Sequence, residues 1–187
     1  TILHANKDME GGKMYLSSLG LKGGSAYTEY QIAELEKWLP KGDSIRVLEL
    51  GGGDSSIKIC KGLEAKYQDV KYVCYETNAS WAPRYEMIET RMHTPDELNN
   101  NAPAVQLGDD EVYDFILVDG PNGRVREKWY ALLKGHTAPG TIIHIDDYSH
   151  FEEFEEQLNA NFPDLEELSR VEIREINPHT WLTVRVK

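Results

Sequence analysis

The sequence predicts an α/β fold: a Rossmann-like, doubly wound, mostly parallel sheet with helices on both faces and a C-terminal antiparallel hairpin. Three observations predict it. Strand and helix signals alternate between residues 25 and 159, as in doubly wound sheets. The strand signal at 113–118 is strong, and the one at 141–145 is apolar at nearly every position, as in strands buried on both faces. Residues 167–175 and 180–186 instead alternate apolar and polar side chains around Ile176-Asn177-Pro178-His179, which reads as a hairpin closing the sheet.

The elements follow in order. Residues 1–24 are rich in Gly and Lys, with Gly11-Gly12 and Gly23-Gly24 as breakers, so they read as an arm or flap ahead of one domain at 25–187. Over 25–39, Ile32, Leu35 and Leu39 recur at helical spacing until Pro40. A strand at 44–50 leads to a helix at 54–67 that Asp54 or Ser55 can cap. A strand at 70–75, a short helix at 82–91 and a weak strand at 104–107 come next. After the 113–118 strand come a helix at 125–134, the 141–145 strand and a helix at 149–159.

With 187 residues the chain supports one domain with a full core. Its 32 acidic against 20 basic residues give a net charge of -12. That argues against a nucleic-acid partner, because phosphate binding relies on Lys and Arg. It suits an acceptor that is neutral, cationic or presented through a metal ion. Cys60 falls on a helix and Cys74 in a strand, which suits small core residues in a reducing, cytoplasmic compartment. No Cys/His spacing suggests zinc. No apolar run approaches the length of a membrane span, and no signal-peptide pattern opens the sequence.

The chemistry gathers at three turns. Val47-Leu48-Glu49-Leu50-Gly51-Gly52-Gly53-Asp54-Ser55-Ser56 is a strand running through glycines into a helix, the arrangement that holds nucleoside-like ligands. Ser56 stands where a dinucleotide fingerprint wants glycine, and Glu49 and Asp54 would repel a pyrophosphate. Acids here suit a positively charged ligand such as an amino group or a sulfonium. Glu76, ending the next strand, can accept both hydroxyls of a ribose.

The other two turns are Val118-Asp119-Gly120-Pro121 and Ile145-Asp146-Asp147-Tyr148. In the usual strand order they are neighbours, so Asp119, Asp146 and Asp147 can converge. Such a trio is costly without a cation between its members. Its all-oxygen donor set suits Mg²⁺, Mn²⁺ or Ca²⁺ rather than zinc. Capping of the following helices by Asp147 or Ser149 is the plainer alternative.

The motif Glu49 to Ser55, the acid Glu76 and the late hairpin together resemble the class I S-adenosylmethionine-dependent methyltransferases, over about residues 25–187. The resemblance implies that Gly51 and Gly53 pass the cofactor's methionine part and that Glu76 holds its ribose. It implies that Asn78 or Trp81 borders the adenine, that Asp109 contacts the adenine amino group, and that Thr28 and Glu29 reach the amino acid end. The acid trio looks like that of metal-dependent O-methyltransferases, and Ile145-Asp146-Asp147-Tyr148 is nearest the macrocin-type sugar branch. Asn122 stands where the catechol branch has a Lys base. The resemblance makes Asp119 both metal ligand and general base, with His150 ahead of His144 as the second candidate base.

Gly120-Pro121-Asn122-Gly123 also resembles plant glucuronoxylan methyltransferases, again pointing to a sugar or glycan acceptor. Tyr15, Tyr27, Trp81, Tyr148 and Trp181 could stack on its face, though such aromatics are more often core. A start at Thr1 fits a processed chain, or one domain of a larger glycan-building enzyme, for instance from a giant algal virus. Rival readings remain. Gly51-Gly52-Gly53-Asp54 also resembles the aminopropyltransferases, from which Ser55-Ser56 and Pro121-Asn122 depart. A metal-independent small-molecule methyltransferase and a non-catalytic cofactor-binding module are the others.

Overall fold

The computed structural model describes residues 13–15, 27, 29–93, 111–120, 126, 129–148, 153–173 and 179–187. Eight strands form one sheet: β1 (Lys13–Tyr15), β2 (Ser44–Leu50), β3 (Asp69–Glu76), β4 (Ile88–Met92), β5 (Phe115–Val118), β6 (Ile142–Asp146), β7 (Leu165–Ile173) and β8 (His179–Val186). Their spatial order is β1-β7-β8-β6-β5-β2-β3-β4. From β4 to β6 every pairing is parallel, whereas β8 runs antiparallel to both β6 and β7. This is the expected Rossmann-like sheet with its hairpin. The chain leaves β2 toward β3 and β4, then returns on the other side at β5, so the switch point lies between β2 and β5.

Among the described residues, four helices cover the sheet: α1 (Glu29–Glu36), α2 (Asp54–Lys66), α3 (Trp129–Leu133) and α4 (Phe154–Asn161). Central strands are buried on both faces, and their alternate residues feed two cores. Leu48, Leu50, Ile116, Val118, Ile143 and Ile145 pack with Trp129, Tyr130, Phe154 and Leu158 of α3 and α4. Val47, Phe115, Leu117 and Ile142 pack with Leu35 of α1 and with Ile59, Cys60 and Leu63 of α2. Cys60 and Cys74 are buried free thiols. Among the described residues no helix is long and apolar enough to cross a membrane.

Three sequence expectations need correction. The helix expected at 82–91 is instead a turn followed by β4, an edge strand paired in parallel with β3. Pro83, buried against the glycine turn, lies 2.8 Å from where a Cβ on Gly52 would sit, and pairing of 88–92 with β3 overrides the local helix signal. Lys13–Tyr15, taken for part of an arm, forms an outer strand parallel to β7. Neither Asp54 nor Ser55 caps α2: Gly53 is the N-cap, and its amide donates to Ser56 Oγ at 2.9 Å. The weak strand at 104–107 lies outside the described residues.

Candidate functional site

Strand register builds the site row by row. Cys74, Glu49, Leu117, His144 and Thr183 pair in sequence across β3, β2, β5, β6 and β8. Side chains alternate along strands, so this row faces α1 and α2. Two residues further on, at the C-terminal rim of the same face, come Glu76, Gly51, Asp119, Asp146 and Trp181. Open α/β sheets bind their ligands at this edge.

At the switch point the turns after β2 and β5 touch backbone to backbone. Asp119 and Gly120 amides both donate to Leu50 O, at 2.8 and 2.6 Å. Gly51 has φ +86°, and a Cβ there would stand 2.6 Å from Gly120 N. Only glycine fits. At Gly53 a Cβ would meet nothing closer than the half-exposed Trp81 ring, at 3.9 Å, so open space begins there. Ser55 is buried in the first turn of α2.

Glu76 is 8 % exposed and is positioned by the glycine turn. Its Oε2 accepts the Gly52 amide at 2.7 Å, and its Oε1 accepts the amides of Thr77 and Asn78 at 2.7 and 2.8 Å. Asn78 is exposed, and its Oδ1 accepts the Ser80 amide at 2.9 Å. Glu49, one row below the rim, accepts the Tyr72 hydroxyl at 2.9 Å. Burial pushes its pKa up to about 7, against the hydrogen bonds of Ser56, Tyr72 and Cys74.

The β5–β6 side is crowded with negative charge. Burial first, then the charges of Asp146, Glu49 and Asp147, hold the Asp119 carboxyl well above the usual range, with Arg126 opposing. Buried Arg126 brackets the two strand ends by donating to the backbone carbonyls of Asp119 at 2.6 Å and Asp146 at 2.7 Å. Asp147 carries φ +53°, and its amide donates to Thr180 O at 2.6 Å.

Sequence reasoning missed Gln31 and Arg126. Gln31, fully buried on α1, donates from its amide to His144 Nε2 and to Asp146 Oδ1, each at 2.9 Å. Because Nε2 accepts, the proton of neutral His144 sits on Nδ1, which donates to Thr183 Oγ1 at 3.0 Å. His144 is thereby a paired interior histidine rather than a base. One signal could have found Gln31: Tyr27, Gln31 and Leu35 are spaced four apart and all buried. Arg126 left no comparable trace.

Thr28, Asp109 and His150 lie outside the described residues, and Glu29 opens α1. Among the described residues no group of three or more His, Cys, Asp or Glu side chains is disposed to hold a metal ion. With Asp146 also engaged by Gln31, the acids as arranged do not fit a divalent ion.

No protein-family model matches the sequence, and no curated protein matches it either. Solved structures do match in fold. The precorrin-6y C5,15-methyltransferase of Geobacter metallireducens GS-15 is 12% identical with a TM-score of 0.56, over 85% of this chain and 89% of that one. The T. Thermophilus 16S rRNA N2 G1207 methyltransferase (RsmC), solved with AdoMet and guanosine, is 14% identical with a TM-score of 0.57, over 92% of this chain but 45% of that one. Human methyltransferase-like protein 13, solved with SAH, is 15% identical with a TM-score of 0.50, over 77% and 72%. The sheet order, the glycine turn at the switch point and these likenesses agree: the chain has the Rossmann-like methyltransferase fold.

Proposed function

We propose that the chain is an S-adenosylmethionine-dependent O-methyltransferase acting on a sugar hydroxyl of a glycan or glycoside. The carrying observation is the charge of the crevice. Glu49 and Asp146 are buried, Asp119 and Asp147 stand beside them, and the charge of Arg126 opposes theirs at Asp119. Acid gathered beside a glycine turn suits a nucleoside that is itself cationic, and open space at Gly53 leaves room for it. Glu76 would accept the ribose hydroxyls from a carboxylate its backbone amides already orient. Asn78 or Trp81 would border the base. When bound, the cofactor supplies an electrophilic methyl group on a sulfonium.

Two solved neighbours, crystallised with AdoMet and with SAH, support the cofactor. The sugar acceptor rests on the resemblance of the Asp146-Asp147 turn and of Gly120-Pro121-Asn122-Gly123. The net charge of -12 weighs against RNA, the substrate that one neighbour's name indicates. Asp119 would serve as general base at the rim, where burial and the neighbouring acids raise its proton affinity.

Calorimetric titration with S-adenosylmethionine and S-adenosylhomocysteine tests the proposal, with EDTA or with Mg²⁺ or Mn²⁺, on wild type and Asp146→Ala. Micromolar binding of both compounds is expected, with the same affinity in EDTA. Absence of binding under every condition overturns the proposal. Metal binding that is lost in Asp146→Ala restores the ion to the mechanism.

A further inference from the structure

Tyr27 lies two residues before α1 and is 5 % exposed. Its ring meets His144 edge-on at a centroid distance of 5.6 Å. Among the described residues its hydroxyl has no hydrogen-bond partner. Buried hydroxyls in folded proteins are nearly always paired, and the exceptions call for a functional account. The surroundings supply one. Burial and then the charges of Asp119, Asp146 and Glu49 push the phenol pKa well above its usual value, with Arg126 opposing. The group therefore keeps its proton and acts as a donor.

Which ligand atom would match an unpaired donor among carboxylates? An anionic group is repelled by Asp119, Asp146 and Glu49. A cation satisfies the acids but cannot accept from a phenol. A neutral oxygen that carries its own proton satisfies both sides, accepting from Tyr27 and donating to a carboxylate. We propose that Tyr27 is a catalytic residue that donates a hydrogen bond to the acceptor's hydroxyl oxygen while Asp119 receives that hydroxyl's proton. This rests on the methyl-transfer reading and narrows its acceptor to an alcohol.

The atoms balance. The acceptor's O–H bond breaks and its proton passes to the Asp119 carboxylate. An oxygen–carbon bond forms as the methyl carbon–sulfur bond breaks, and sulfur keeps the electron pair. Tyr27 keeps its own proton and holds the oxygen lone pair in line with the methyl group.

The test is Tyr27→Phe, which removes only the hydroxyl. Three quantities are compared with wild type: melting temperature, calorimetric affinity for S-adenosylhomocysteine, and methyl transfer from radiolabelled S-adenosylmethionine to methyl hexopyranosides and methyl deoxyhexopyranosides. The melting temperature should be unchanged or higher, because the buried hydroxyl has no partner to lose. Affinity should hold within about twofold, and transfer at saturating sugar should slow by roughly 10- to 100-fold. A lower melting temperature shows a structural hydroxyl and overturns the proposal, as does unchanged transfer. Wild type that binds S-adenosylhomocysteine but methylates no sugar overturns the alcohol assignment and leaves the cofactor reading standing. Wild type that fails to bind S-adenosylhomocysteine removes the methyltransferase reading itself.

Discussion

The two side-chain rows on the α1–α2 face are made of similar residues and solve opposite problems. On the rim, Glu76 is held by three backbone amides. One row below, Glu49 has side-chain partners, among them Tyr72. Backbone amides in a turn are fixed dipoles, whereas in the dry interior the hydrogen bonds of Ser56, Tyr72 and Cys74 offset the burial of Glu49 only in part. The lower row therefore stores a titratable group near pH 7 beneath a rim shaped for a ligand.

The sharpest way to break the rim is Gly51→Ala. The new methyl would need a left-handed backbone and would collide with Gly120. A loss of roughly 4 kcal/mol in urea unfolding is expected, with cofactor binding abolished; a loss below about 1 kcal/mol would show that the two turns separate freely.

The lower row is sharpened by Glu49→Gln. Folded Glu49 keeps its proton to about pH 7, against an ordinary value of 4.5, so stability falls as pH rises through that window. Integrated, the slope amounts to about 3 kcal/mol. The variant should lose most of this pH dependence and be the more stable protein at pH 8. Equal slopes in both proteins between pH 5 and 8 would place the titration elsewhere. A bound cation favours the charged glutamate, so cofactor affinity of the wild type should also rise with pH across 7.

Gln31 joins the rows, touching His144 below and Asp146 at the rim. Gln31→Leu should cost about 2 kcal/mol. It should also release the His144 tautomer, read from the imidazole ¹⁵N shifts. An unchanged tautomer would assign its control to Thr183 alone.

Much of this was legible in the sequence, for a physical reason. Ile116–Val118 and Ile142, Ile143 and Ile145 are apolar because both of their faces are covered, and Gly51 is glycine because a neighbouring backbone occupies the Cβ position. Both constraints act on residue type directly. What failed was whatever depends on partners distant in the chain. Ile88–Met92 has the composition of a short helix, and its strand identity comes from pairing with β3. Ile32 and Leu39, two of the apolar residues at helical spacing over 25–39, are half-buried, while Gln31 is interior because residues 113 and 115 positions later supply its acceptors. Arg126 is explained only by two carbonyls that the sheet brings together. The placement of Thr28, Asp109 and His150 stays a proposal carried by the resemblance.

The position of β8 bears on how the molecule is made. β8 lies between β6 and β7, both of which precede it in the chain. Until β8 inserts, β6 presents a bare edge of amides and carbonyls, and β7 has no seat on the sheet. Thr183, which buttresses His144, arrives on that same strand. Synthesis thus exposes a sticky apolar strand for the time it takes to add about forty more residues. A nascent chain stalled before β8 would hold a formed glycine turn and an unfinished acid half, and would be prone to pair with its neighbours on the polysome.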